Sequence, residues 1–238
     1  MKITFSWDDG APEDIKLFRM HERFCLPGMF FVPNRNQEGL EVISGQTIRA
    51  ASSSLIRFGA HTASHVRLSK LPDERIKEEL YDNQCFLEDA LGMEVRHFCL
   101  PGGEYNRRVL DAAFSRFDTV RTADTMNFMP GSRLIRPTFH IYPRGIRSLL
   151  ANGIRNRSFW AVTEILSQRN HPSYFQTMRI LLDQAANREA AQVILWGHSW
   201  EIEKLGLWEE LEGFFHLIGE KYRSQCVRYE ELTAGGRE

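Results

Sequence analysis

The chain has 238 residues, 42% of them hydrophobic, and a formal net charge of −1, which is enough apolar material for one large core of the size that α/β barrels commonly reach undivided. The near-neutral balance argues against a surface built to grip nucleic acid through bulk charge. No run is long and apolar enough to span a membrane and nothing at the N-terminus resembles a secretory signal, so the reading is of a cytoplasmic protein without membrane insertion, in which Cys25, Cys85, Cys99 and Cys226, lacking any CxxC pair, are reduced thiols.

Residues 3–7 form a short apolar strand that runs into Asp8, Asp9 and Gly10. Strand geometry sends neighbouring side chains to opposite sides, so the two carboxylates do different work. Gly10 turns the chain away and leaves both at the strand's C-terminal end, although Asp-Asp-Gly alone is also an ordinary turn. Pro12, Glu13 and Asp14 read as the first turn of a helix with Leu17, Met20, His21 and Phe24 on one face, stopped by Pro27 and Gly28. Residues 29–32 are apolar on both faces, as in a parallel strand covered on both sides. A polar loop over 34–45 and a helix over 47–58 lead to His61 and His65.

The clearest helix opens at Leu71 and Pro72, places Ile76, Leu80, Leu87 and Leu91 on one face and ends at Gly92. A strand over 95–100 ends in Pro101, Gly102 and Gly103. A helix carrying Val109, Leu110, Ala113, Phe114 and Phe117 then precedes a strand over 119–122. Between Asp124 and Arg144, Pro130, Gly131, Pro137 and Pro143 punctuate a long connection, a length that is often functional in compact enzymes. Helices over 149–167 and 174–186, a strand over 192–196 ending in Gly197 and His198, a helix over 207–222 and a short strand at 226–227 follow. This βα alternation predicts a parallel α/β sheet or barrel in a single domain over 1–238, without internal repeats.

Three predicted strand ends thus present Asp8 and Asp9, His61 and His65, and His198. On a helical turn, histidines four apart share a face and can hold one ion, with a carboxylate as third ligand. Two histidines and a carboxylate leave positions open for water or substrate, the arrangement of a catalytic metal site.

These residues also carry a resemblance. Phe5 to Gly10 resembles the TFDDG motif of the polysaccharide deacetylase (NodB-homology, carbohydrate esterase family 4) superfamily, and His61-Thr62-Ala63-Ser64-His65 is similar to its second, two-histidine motif. Leu100 to Gly103 resembles the third motif and Leu195 to His198 the fifth. The resemblance implies a distorted (β/α)7-type barrel that removes an acyl group from an N-acylated sugar with the help of one divalent metal ion. Zinc is the first choice, and iron, cobalt and nickel also suit the ligands. Carried over by position, Asp9, His61 and His65 would bind the metal, Asp8 would be the general base and His198 the general acid. The implied partner is an N-acetylated sugar or glycan precursor.

The sequence also departs from the family pattern. Cys99 stands where the third motif usually has arginine, and Arg121 or Arg136 could take its place; Arg136, Pro101, Gly102, Gly103, Trp196 and Trp200 are candidate substrate contacts. Trp7, Trp196 and Trp200 form either a sugar-stacking platform or core packing. Asp124 is the candidate carboxylate for the fourth motif, while His21, His97, His140, His171 and His216 have no ligand spacing. Two other readings stand beside the deacetylase: a barrel amidohydrolase acting on a small non-sugar amide, and a catalytically silent carbohydrate-binding barrel.

Overall fold

The computed structural model describes residues 1–130, 132–168 and 173–233; Gly131 and His171 lie outside them. The first half of the chain runs β1 (Lys2–Asp8), α1 (Asp14–Phe24), β2 (Gly28–Val32), α2 (Gly45–Ala51), β3 (Ile56–Ala60), α3 (Asp73–Leu91), β4 (His97–Cys99), α4 (Arg107–Phe114) and β5 (Thr119–Arg121). The second half adds β6 (Leu134–Ile135), β7 (Phe139–His140), α5 (Ile146–Arg155), α6 (Phe159–Ser167), α7 (Tyr174–Asn187), β8 (Gln192–Gly197), α8 (Ser199–Leu205) and α9 (Trp208–Lys221).

All strand pairs are parallel, in the order β6-β5-β4-β3-β2-β1-β8-β7. β6 and β7 sit at opposite ends of that order, yet only Arg136, Pro137 and Thr138 separate them in sequence. The sheet is therefore curled on itself. Ile135 accepts a hydrogen bond from Thr122 N–H on one side of the seam, and Thr138 N–H donates to Ile194 on the other. Counted as one interrupted strand, β6 and β7 make the seventh staves of a distorted (β/α)7 barrel.

Alternation along the strands builds two cores. Ile3, Phe5 and Trp7 point out of the barrel into the helix layer, with Leu17, Phe30 and Phe215. Met29, Phe31, Cys99, Ile135 and Ile194 fill the interior, together with Tyr229 and Leu232 from the C-terminal turn. Trp7 is fully buried and donates to His21 Nε2 (2.8 Å), while His21 Nδ1 bonds to Leu26 O (2.8 Å). Trp7 thus belongs to the core and not to a sugar platform, because odd positions of β1 face the helices.

Three elements differ from the sequence reading. The 47–58 helix stops at Ala51, since residues 56–58 are claimed by the β3 ladder. The 149–167 helix is two helices, broken where Arg157 adopts φ +56°. The 226–227 strand reduces to a single bridge between Ile3 and Cys226.

Candidate active site

Every candidate group that converges does so at C-terminal strand ends, the rim on which parallel barrels build their sites. Asp8 ends β1, His61 follows β3, Cys99 ends β4, Arg121 ends β5, His140 ends β7 and His198 follows β8. All of these but Cys99 line a cavity of about 660 Å³ that also includes Pro101, Gly102, Gly103, Trp196, Trp200 and Glu201.

Backbone conformation at this rim is unusual. Asp9 (φ +78°), Thr62 (φ +65°) and His65 (φ +56°) occupy the left-handed region without being glycine, a cost that persists only where the surroundings enforce it. Gly10 (φ +64°) is required twice over, since a Cβ there would lie 2.5 Å from Val32 Cγ1. The 61–65 segment is thus an irregular loop, and its two histidines converge by strained turns instead of the helical spacing expected.

Helix α3 holds that loop. Glu79 accepts from Ser64 N–H (2.9 Å) and Ser64 Oγ (2.6 Å), and Asn83 accepts from His61 N–H (2.5 Å). Both residues are buried, four apart, on the face that carries Ile76 and Leu80. These polar interruptions of an apolar stripe are the signal in the sequence for Glu79 and Asn83 as the residues that hold the loop. Glu79→Ala should weaken divalent-metal affinity by about 10–100-fold, the usual cost of losing a group that orients ligands. Calorimetric titration of the apoprotein checks this, and an unchanged affinity would show that the loop holds itself.

Asp9 lies between the two histidines, with Oδ1 at 3.3 Å from His61 Nε2 and 3.0 Å from His65 Nε2. His61 Nδ1 bonds to the Cys99 carbonyl oxygen (2.8 Å), which can only accept, so the proton sits on Nδ1 and Nε2 offers a lone pair. That lone pair faces a buried carboxylate oxygen that itself has no hydrogen-bond partner. Two electron-rich atoms so placed call for a cation between them. At His65, burial works against charge but the Asp9 carboxylate outweighs it and raises the imidazole. The donor set of one carboxylate and two imidazoles, all within 4.8 Å of one another, fits a divalent transition metal.

Asp8 points the other way, into the barrel. Arg121, completely buried, pairs with both of its carboxylate oxygens and donates to Cys99 Sγ (2.9 Å). Burial alone would raise Asp8, but the guanidinium charge wins and holds it below the usual carboxylate range. Cys99 and Arg121 are register partners on β4 and β5. The arginine missing at position 99 is therefore supplied from the next strand at the same height. Arg136 does not join the site: Ile135 points inward, so Arg136 faces out, 3.9 Å from Asp124.

On the far side, His198 Nδ1 bonds to Glu201 Oε2 (2.7 Å), leaving Nε2 directed towards Asp9 Oδ2 at 3.8 Å. The same Glu201 oxygen bonds to His140 Nε2 (3.1 Å), and Arg144 donates to His140 Nδ1 (3.2 Å). Arg144 has no lone pair to give, so His140 is neutral with its proton on Nε2; burial accordingly lowers it to about 4. Burial is outweighed at Glu201 by the two histidine hydrogen bonds, which lower it to about 2. At His198 burial is outweighed by Asp9 and Glu201, which raise it to about 9. The carboxylate partner of His198 is thus Glu201, three residues on in the first turn of α8. Asp124 instead lies near Arg136 and Arg155 (3.8 Å). His140, set aside for lack of spacing, enters the network because β7 is the neighbour of β8.

The tryptophans divide. Trp200 donates to Asp9 Oδ2 (2.9 Å) and lines the cavity. Trp196 is 6% exposed, stacked on His140 (3.9 Å between centroids) with the Arg121 guanidinium 4.9 Å from its ring. It braces protein groups while also contributing to the cavity wall.

Fold and site together define a parallel (β/α)7 barrel with a carboxylate-and-imidazole centre suited to acid–base work around a bound cation. Residues 1–115 match the polysaccharide deacetylase family. Among solved structures, a family 4 acetyl xylan esterase from Clostridium thermocellum, in complex with cobalt, is 14% identical with a TM-score of 0.56, covering 98% of this chain and 90% of its own. A Streptococcus pyogenes deacetylase in complex with acetate is 15% identical with a TM-score of 0.51, covering 57% of this chain and 62% of its own. A family 4 pseudoenzyme from Bacillus anthracis is 14% identical with a TM-score of 0.52, covering 97% of this chain and 64% of its own. The chain thus spans less than two thirds of the length of the streptococcal and Bacillus proteins. No curated protein sequence matches it. The first 115 residues are thus similar to the polysaccharide deacetylase family, and the chain as a whole shares the fold of the family 4 esterase.

Proposed function

We propose that this protein is a divalent-metal-dependent hydrolase that removes the acetyl group from an N-acetylated sugar. The observation that carries this reading is the cluster of Asp9, His61 and His65 flanked, in one cavity, by the Asp8–Arg121 and His198–Glu201 pairs. A divalent ion bound by Asp9, His61 and His65 would supply Lewis acidity to the amide carbonyl and lower the pKa of water.

The remaining work falls to this chain's side chains. Arg121 keeps Asp8 ionised in a buried setting, so one of its carboxylate oxygens can take the proton of the attacking water. Glu201 fixes the His198 ring through Nδ1 and directs Nε2, protonated near neutral pH, at the leaving nitrogen. Trp200 adds a ring to the cavity wall beside Pro101, Gly102 and Gly103, where pyranose C–H faces can pack. Zinc heads the candidate metals, with iron, cobalt and nickel suiting the same ligands. A silent barrel is disfavoured by the Asp8–Arg121 pair, which holding an ion does not require.

Metal analysis of the purified protein, followed by acetate release across a panel of N-acetylated sugars and small non-sugar amides, tests the reading. Release from sugars alone is expected. A metal-loaded protein that frees acetate from none of them would leave the silent barrel standing.

The rate–pH profile offers a finer check. A general acid must be protonated, so activity is lost as pH rises through the His198 pKa. Glu201→Gln removes one of the influences raising that pKa, and the alkaline limb should move to lower pH by roughly one unit. The acidic limb should stay in place. An unmoved alkaline limb would separate Glu201 from proton transfer.

A further inference from the structure

The stretch from 125 to 163 carries Arg133, Arg136, Arg144, Arg147, Arg155 and Arg157 and no aspartate or glutamate, in a chain whose total charge is −1. Its centre is the turn between α5 and α6. That turn is tied down by Ser158 Oγ donating to Met126 O (2.6 Å), Asn156 Nδ2 donating to Thr125 O (2.6 Å) and the Phe128–Trp160 ring contact (4.6 Å). At the corner so formed, Met129 (65%), Ile154 (57%) and Phe159 (59%) stand exposed, and Leu166 (64%) lies two turns further along α6. Met129, Arg136, Arg155 and Arg157 border one shallow cavity of about 300 Å³. Among the described residues, Arg147 and Arg157 have no ion-pair partner. Arg136 and Arg155 share the single carboxylate of Asp124 (3.9 and 3.8 Å), so positive charge is in excess here, and a tied-down corner that shows large apolar side chains beside such an excess departs from an ordinary soluble surface.

We propose that this corner docks the protein onto an anionic lipid surface, with Met129, Ile154 and Phe159 entering the headgroup–acyl boundary and Arg155 and Arg157 facing lipid phosphates. Both halves of the pattern are needed for that assignment. A soluble polyanion would use the arginines and leave the apolar side chains in water, and a second copy of this chain would bring like-charged corners together. Apolar burial combined with attraction to anionic headgroups is what binds peripheral proteins to bilayers. The same helix joins the corner to the chemistry, since Ser148 and Asn152 of α5 line the catalytic cavity while Ile154 and Arg155 close its last turn. Where the deacetylase reading holds, docking brings the cavity to amino sugars carried on lipid.

Sedimentation of the full chain with vesicles tests the proposal without substrate, so a failure of activity leaves it standing. The protein should co-sediment with an equal mixture of phosphatidylcholine and phosphatidylglycerol, remain in solution with phosphatidylcholine alone, and be released by high salt. Arg155→Gln with Arg157→Gln should weaken binding by roughly 25-fold, about five-fold per arginine. Ile154→Ser with Phe159→Ser should abolish it and leave hydrolysis of a soluble acetylated sugar unchanged. Equal binding to both vesicle types, or to neither, overturns the proposal. So does a concentration-dependent dimer that Ile154→Ser and Phe159→Ser dissociate, or binding to a soluble polyanion that those two substitutions leave intact.

Discussion

Asp8→Asn should bind its metal normally and lose turnover by about 10²–10⁴-fold, the usual cost of removing a general base. The separation follows from where the two neighbouring carboxylates point. Asp9 meets His61 and His65, while Asp8, among the described residues, meets only Arg121 and Cys99 within hydrogen-bonding reach. Asparagine fills the same space and can still accept from Arg121, so the site geometry is kept while the buried guanidinium loses its counter-ion and some stability is lost with it. Metal content and acetate release measured on the same preparation check both halves. Turnover within a few-fold of the parent would make Asp8 a structural partner of Arg121; loss of metal would place it among the ligands.

Arg121→Met should be the most destabilising single change at the site, by roughly 3–5 kcal/mol, because it strands a buried carboxylate without its counter-ion. The pH dependence has a definite sign. In the parent, Asp8 titrates below its unfolded value, so the pair contributes stability above the unfolded pKa and loses it as pH falls through the folded one. In Arg121→Met the buried carboxyl titrates above the unfolded value, and the deficit grows as pH rises past it. Asp8→Asn added to Arg121→Met should restore part of the loss by removing the orphaned charge, a coupling that a double-mutant cycle measures directly. Denaturant unfolding across pH reads it, and a deficit that stays flat with pH would mean that the arginine acts through packing on Phe31 and Trp196.

The alternation of strands and helices was legible because the strands are short buried runs, apolar throughout in β2, and the longer helices carry an apolar stripe. Asp8, Asp9, His61, His65 and His198 could be read as a group because all lie at or within five residues of a strand's C-terminal end. What the sequence hid was lateral. That Arg121 stands beside Cys99, and His140 beside His198, depends on strand neighbours and register, which no local pattern encodes. The outward placement of Arg136 and Asp124 is hidden for the same reason: which side of the short β6 Arg136 takes, and which carboxylate meets His198, depend on strand neighbours and register. The left-handed turns at Thr62 and His65 have no glycine to announce them; they are imposed by Glu79 and Asn83 from α3.

The three residues between β6 and β7 have a consequence for how such a barrel can vary. In a barrel closed all round by ladders, strand number and stagger fix the girth. Here, among the described residues, no ladder joins β6 to β7, and their separation is bounded by the reach of the chain from Ile135 to Phe139, at most about 14 Å. One segment of the circumference is therefore set by loop length. Adding or removing a residue beside Pro137 would widen or narrow the mouth while Asp8, Asp9, His61 and His198 keep their own strands and spacing, so substrate girth and chemical competence can change independently.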